Sequence, residues 1–279
     1  TFLEDCLAGL HSYILPVFES IQHRYHTICY YKCHYPFILL VNDVNKYAAI
    51  TLLATVLVGC DNNSAPLSFT PEMASFSNEF DFDPLRGPVK DFTQTLFNDK
   101  GEVSKRVTGT MSTEGCFDTL ELHDLEANTG VALVLDANYY VDAETQQQKV
   151  KLQGKCQLAE LPSAGLTWDT DDNGFVVAAH SKEMEVKYQY DADGYPLGKT
   201  TVSGDQRLSV KSVPSKDLRK RMDYTAVSLL NDKPMGNVKQ SCDYDRHNNP
   251  VNCELVITDD SVKPAVERKY TIKNSIEYY

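Results

Sequence analysis

Thirteen consecutive uncharged residues, 47–59 (YAAITLLATVLVG), end on Gly59, and Cys60 follows at once. Lys46 stands before this run and Asp61-Asn62-Asn63 behind it. That is the order of a secretory signal: a charged start, a short apolar core and a small-residue cleavage site. A cysteine directly after Gly59 matches the lipobox of bacterial lipoproteins, where the thiol takes a diacylglycerol and the chain is cut just before it. The feature sets what is left to fold: residues 60–279, 220 in number, with Cys60 as the first. A membrane span would need about 20 apolar residues. A core helix would continue into amphipathic sequence, whereas this run stops at a polar stretch. Each buried methylene of an acyl chain contributes about 0.8 kcal/mol, so the two or three chains of a mature lipoprotein are enough to hold it.

Residues 1–43 fit this plan poorly. The chain opens on Thr, no Met occurs before Met73, and a signal should begin within a few residues of its lysine. Val44, read from an alternative start codon, gives a signal of residues 44–59, and residues 1–43 are expected to be upstream translation absent from the natural protein. Their cluster of His23, His26, Cys29, Cys33 and His34 has zinc-binding donor types, but its spacing matches no standard finger. No metal or cofactor is expected.

Charge and cysteines bound the rest. Lys+Arg number 27 and Asp+Glu 39; three basic and four acidic residues precede Cys60, leaving 24 against 35, a net −11. So acidic a segment argues against nucleic acid, whose phosphates need Lys and Arg. It would also be repelled by anionic headgroups, so that attachment rests on the acyl chains. Beyond Cys60 four cysteines remain, Cys116, Cys156, Cys242 and Cys253. An even number in an exported chain implies two disulfides with three connectivities, of which local spacing favours Cys116–Cys156 and Cys242–Cys253.

After a polar tether, residues 60–66, the pattern from residue 67 on is that of strands. Phe76, Asn78, Phe80 and Phe82 alternate with Ser77, Glu79, Asp81 and Asp83, which predicts a half-buried strand. Met184, Val186, Tyr188 and Tyr190 alternate likewise, and Tyr270, Ile272, Ile276 and Tyr278 share a face. Helical periodicity is nearly absent; 215–222 has room for one or two turns. A weak repeat links the strands: YDADGYP (190–196), YDRHNNP (244–250) and, more loosely, FNDKGEV (97–103). Asp or Asn opens a turn with its side chain, and Gly194 or Asn248 closes it in the left-handed region. The repeat resembles the YD hairpins of bacterial surface proteins. If the tip after Asp245 holds four residues between a closing pair, Cys242 and Cys253 stand opposite each other. A three-residue loop would point them to opposite faces, so the cysteines favour the longer loop.

Chemical motifs are few. Asp169 to Gly174 fits the first half of a calcium loop, but its twelfth position is His180 and not Glu, so a plain hairpin loop is expected. No G-x-S-x-G, Walker loop, H-E-x-x-H or C-x-x-C occurs, and beyond Cys60 the histidines are His123, His180 and His247. Trp168 and the many tyrosines are expected to pack the sheets.

With those residues in hand, the segment after Cys60 resembles the YnfC family, lipoproteins of Gram-negative bacteria with no assigned activity. The likeness rests on LSFTPEMASFSNEFDFDPLRGPV (67–89), GKCQLAELPSAG (154–165), YPLGKT (195–200) and KPAVER (263–268). It implies that the lipidated cysteine is Cys60. By the enterobacterial sorting rule, Asp61 behind it implies retention in the inner membrane, facing the periplasm, and Asn62 is compatible.

The expected architecture is all-β and mostly antiparallel, a meander of hairpins forming a curved sheet or sandwich over residues 67–279, with little helix. The expected function is a non-enzymatic binding or assembly module of the envelope, held by lipid and meeting another envelope protein. A carrier of an acyl chain or other apolar ligand is the alternative, and an envelope hydrolase a third.

Overall fold

The computed structural model describes residues 67–279; the readings above that fall on residues 1–66, Cys60 and Asp61 among them, lie outside the described residues. The first element of the described residues is a helix, α1 (Pro71–Phe80). Strands follow in sequence: β1 (Val89–Phe97), β2 (Val103–Met111), β3 (Phe117–Asp124), β4 (Thr129–Asp136), β5 (Tyr139–Asp142) and β6 (Gln148–Gln153). Next come β7 (Gln157–Leu161), a 3-10 turn (Pro162–Ala164), β8 (Leu166–Thr170), β9 (Val176–His180), β10 (Met184–Tyr190) and β11 (Pro196–Ser203). The series ends with β12 (Gln206–Pro214), β13 (Tyr224–Leu230), β14 (Lys233–Tyr244), β15 (Pro250–Asp259) and β16 (Val266–Tyr278).

Every strand pairs antiparallel with its sequence neighbour, and β1 also pairs with β16, Phe92 opposite Ile276 and Leu96 opposite Ile272. The all-β reading therefore holds, but the sheet is a closed barrel of sixteen strands and not a curved sheet or sandwich. Closure has a physical reason: an open sheet of this length would expose two edges of unpaired N–H and C=O groups, and pairing the first strand with the last removes both.

Side chains alternate across the wall as the sequence pattern requires. On β10 Met184, Val186, Tyr188 and Tyr190 point inward, and on β16 Tyr270, Ile272, Ile276 and Tyr278 do so. The outward phase of β16 reads Glu267, Lys269, Thr271, Lys273, Ser275 and Glu277. Charged pairs lie along this outer face, Lys90 with Glu277 at 2.9 Å, Lys187 with Glu185 at 3.0 Å and Lys151 with Glu160. A strand facing hydrocarbon carries apolar residues outward; this outer face is built for water. Among the described residues, no helix is long and apolar enough to cross a membrane.

A barrel this wide leaves an open interior unless something fills it. Here it is filled by the first of the described residues. Residues 71–80 form a helix, and this corrects the strand expected from the alternation of Phe76, Asn78, Phe80 and Phe82. The start is set by Thr70, whose hydroxyl accepts from Met73 N–H, and by Pro71 at the first position. The end is set by Asp81, left-handed at φ 54. Phe76 and Phe80, four apart, share one helix face with ring centroids 5.7 Å apart. The alternation misleads because Met73 through Asn78 are all buried: a helix enclosed on every side has no wet face to report its period.

The helix parts the interior into two cores. Met73 and Phe76 pack with Phe82, Phe92, Phe117, Leu120, Tyr140 and Trp168. Ala74 joins Phe69, Tyr195, Val210, Tyr224, Leu255 and Ile257. After Asp81 the chain turns back as a strap, residues 82–88, and leaves the interior where it came in. Gly87 lies against Leu67 and His247 at that end. We refer to this end, which carries the β2–β3, β8–β9, β10–β11, β12–β13 and β14–β15 connections and both ends of the described chain, as the near rim.

Candidate functional site

Two places concentrate polar groups: the C-terminal end of α1 inside the barrel, and the near rim where the strap leaves it.

The last carbonyls of a helix have no partners within it and carry partial negative charge. Two inward-pointing lysines meet them. Lys105 of β2 donates to Asp81 O at 2.8 Å and to Phe80 O at 3.4 Å. Lys199 of β11 donates to Asn78 O at 3.3 Å and reaches Asp81 Oδ1 at 3.4 Å. Between them Glu79 accepts a hydrogen bond from Tyr188 Oη. Burial pushes the Glu79 carboxyl above the ordinary glutamate range, against the pull of Lys199 and the hydroxyl of Tyr188. Tyr188, enclosed beside that carboxyl, is pushed well up in turn, so its proton stays on at all ordinary pH. Composition and motif searches pass over this cluster. Its trace in the sequence is a lysine on the apolar phase of a strand: Lys199 stands opposite Tyr188, and Lys105 falls in phase with Val107.

At the near rim Arg86 and Asn249 hold each other: Arg86 N–H donates to Asn249 Oδ1 at 2.7 Å, and Asn249 Nδ2 donates to Arg86 O at 2.9 Å. Asn249 Nδ2 also reaches Tyr278 Oη at 2.8 Å, tying the strap to the last strand. The buried guanidinium lies 4.5 Å from the Phe69 ring centre and donates to Leu218 O at 2.9 Å. Burial brings it down to about 10, so it is charged at neutral pH.

One kind of hairpin tip recurs, four times on this rim and once, at Asn98, on the opposite one. In each, the first residue's side chain accepts from backbone N–H groups further on, and a residue at positive φ closes the turn. Gly194 sits at φ 76, and a Cβ there would come within 2.6 Å of the Phe175 ring, so glycine is required. The sequence repeat has three copies, but the structure has five. Asn98, Asp191 and Asp245 are joined by Ser112 and Asp171, each with the same backbone bond from its N–H to the carbonyl four residues on. The half calcium motif is thus a hairpin tip: Asp171 Oδ1 accepts from the N–H groups of Asn173 and Phe175. Among the described residues, no group of three or more His, Cys, Asp or Glu side chains is placed to hold a metal ion.

The cysteines form the bonds Cys116–Cys156 and Cys242–Cys253, with Cα atoms 5.9 Å and 4.0 Å apart. Cys242 stands directly opposite Cys253. The loop beyond them has three residues, however, closed by Asp245 N–H to Asn249 O. A bulge between Asp243 and Tyr244 takes up the missing residue and keeps both cysteines on one face. The expected four-residue loop is corrected accordingly, and the same bulge precedes the tips at Asn98, Ser112, Asp171 and Asp191.

The three histidines beyond Cys60 stand apart from one another. His180 Nε2 lies 2.9 Å from Asp169 Oδ2 on the exposed outer face. His123 has Glu121 at 3.7 Å, also exposed. His247 stacks on Tyr278 with ring centres 3.9 Å apart. The arrangement binds and orients its own chain: the hydrogen bonds of both clusters hold the plug and the rim, while the buried Arg86 Nε has no hydrogen-bond partner among the described residues.

A wide, water-facing barrel plugged by the helix that precedes its first strand and stapled by two disulfides defines the class. The sequence model of the family described as "Uncharacterised protein family (UPF0257)" matches residues 44–279, and this chain belongs to that family. A protein of Salmonella dublin named UPF0257 lipoprotein YnfC is 68% identical over 236 residues, 85% of this chain and 100% of that protein. One of the same name from Escherichia coli O127:H6 is 70% identical over 228 residues, 82% of this chain and 97% of its own length. Among solved structures, a porin-like protein from Bacteroides uniformis matches with a TM-score of 0.45 and 6% identity, covering 68% of this chain and 96% of that one. A likeness so slight carries no argument.

Proposed function

We propose that this chain is a lipid-anchored protein of the bacterial envelope whose barrel is a non-enzymatic binding or assembly module for another envelope protein. Cys60 takes the lipid, and Asp61 favours the periplasmic face of the inner membrane. The observation that carries the module reading is the occupied interior: Phe76 sits among Phe117 and Tyr140, at 4.9 and 5.5 Å between ring centres, where a carried apolar ligand would lie. Recognition is left to the rims and the charged outer face. The relatives' name supports the anchor, and the two disulfides accord with an oxidising compartment. His123 and His180 lie exposed on the outer face and His247 is stacked on Tyr278, which favours the module over a hydrolase.

The test is intact-mass spectrometry of the protein expressed from its own locus and extracted from membranes. A di- or triacylated chain beginning at Cys60 and lacking four thiol hydrogens is expected, and Cys60→Ala abolishes the acylated species. An unlipidated chain retaining the residues before Cys60 would overturn the anchor. For the module, photo-crosslinking residues at Lys100 and Lys233, on the rim opposite the strap, are expected to give a discrete adduct with an envelope protein in cells. Adducts absent from both sites and from the outer face would overturn it.

A further inference from the structure

The acidity of this protein is unevenly spread. The β12–β13 connection, residues 215–223, lies on the near rim and reads SKDLRKRMD. Two of its charges are turned inward. Asp223 accepts from Cys242 N–H at 2.8 Å and Tyr244 Oη at 3.0 Å, and the buried Arg221 donates to Ser215 O. Lys216, Arg219 and Lys220 are exposed, and so is Arg246 on the adjacent β14–β15 tip. Asp217, whose Oδ1 accepts from Arg219 N–H at 3.0 Å, and Asp243 at the end of β14 are the exposed acids beside them. Round the same rim acids prevail, with exposed Glu114 on the β2–β3 tip and Asp171 and Asp172 on the β8–β9 tip against Lys155, which donates to Glu114 O.

The chain comes in beside the basic sector. Gly87 of the strap lies against both Leu67 and His247, and the strap's Arg86 donates to Leu218 O within the basic loop itself. Seven residues separate the start of Leu67 from the start of Cys60, a reach of at most about 25 Å when fully extended. Basic residues beside a lipid anchor are drawn to anionic headgroups, and the attraction acts only within about 8 Å at physiological salt.

We infer that the basic sector of the near rim, Lys216, Arg219, Lys220 and Arg246, rests on a bilayer surface rich in anionic phospholipid headgroups, so that the opposite rim faces away from the membrane. This inference rests on the lipid anchor proposed above. It revises the expectation that net acidity leaves the acyl chains to hold the protein alone: the repulsion belongs to the far side of the rim, and the anchor side attracts.

The test uses the lipidated protein on vesicles of phosphatidylcholine alone or with about 30% phosphatidylglycerol, and reads labelling rates of single lysines with an amine reagent that does not enter the bilayer. On the anionic vesicles Lys216 and Lys220 are expected to label about five-fold more slowly, the equivalent of about 1 kcal/mol per lysine, with about 0.5 M salt restoring the rate. Lys100 and Lys233 on the opposite rim keep one rate throughout. Flotation with the vesicles but equal labelling on both compositions would overturn the inference alone. A protein that fails to float would overturn the anchor and this inference with it.

Discussion

Phe76→Ala empties the centre of the plug. Phe76 is 1% exposed, and its ring meets those of Phe80, Phe117 and Tyr140 with centres 5.7, 4.9 and 5.5 Å apart. Truncating a buried Phe costs about 3–5 kcal/mol in transfer and cavity terms, and the rigid barrel wall leaves little room to collapse, so about 4 kcal/mol is expected. Against a stability of about 5–15 kcal/mol this is a large fraction. In a domain this size it lowers Tm by about 8–16 °C. Urea and thermal unfolding followed by circular dichroism would read it. Val213→Ala, at a side chain 68% exposed on the outer face, serves as the control, expected within about 0.5 kcal/mol of wild type. A double-mutant cycle with Phe117→Ala isolates the pair, expected at about 1 kcal/mol. A Phe76→Ala protein within about 1 kcal/mol of wild type would refute the reasoning, because only a helix lying outside the barrel gives up that ring so lightly.

Glu79→Gln tests the buried carboxyl. Its proton is held more tightly in the folded state than in the unfolded one. The group therefore contributes fully below the unfolded pKa, and that contribution is lost as pH rises through the folded value. The variant is expected to gain stability over wild type at pH 7 and lose that advantage by pH 4, read as the difference in urea midpoints; a constant difference would refute the shift. The two disulfides rank by the chain they close. In the loop-entropy picture Cys116–Cys156, 40 residues apart, contributes about 4 kcal/mol, and Cys242–Cys253, 11 apart, about 3 kcal/mol. Cys116→Ser/Cys156→Ser is thus expected to unfold at lower urea than Cys242→Ser/Cys253→Ser, and the reverse order would show that the hairpin's own packing depends on its bridge.

Much of the wall was legible in the residues. Alternation identified the inner face of β10 and of β16, because a strand with one wet face shows its period of two directly. The turn chemistry of Asp191, Gly194, Asp245 and Asn248 marked hairpin tips, since few residue types tolerate the left-handed region. The tip at Asp171 was legible too, as a plain hairpin loop behind its calcium-like string, whereas the tip at Ser112 was hidden because serine replaces the usual Asp or Asn. Closure was not legible, as the pairing of Phe92 with Ile276 joins the first strand to the last and leaves no local signal. The plug was misread outright, because burial on all sides erased the amphipathic stripe by which a helix is known. Its cap was nonetheless present in Thr70-Pro71-Glu72. The clusters at Lys105, Lys199 and Glu79, and at Arg86 and Asn249, depend on that plug and could not be assembled without it.

Amide hydrogen exchange across α1, in the lipidated protein extracted from membranes, tests the plugged barrel most directly. With the helix locked inside a closed wall, the amides of Ala74 through Phe80 open only when the barrel opens. They are then expected to exchange at the free energy of the slowest amides in β3 and β10. Exchange of those helix amides at the rate of the exposed loops, while the strands stay protected, would contradict it and leave the interior free for a ligand.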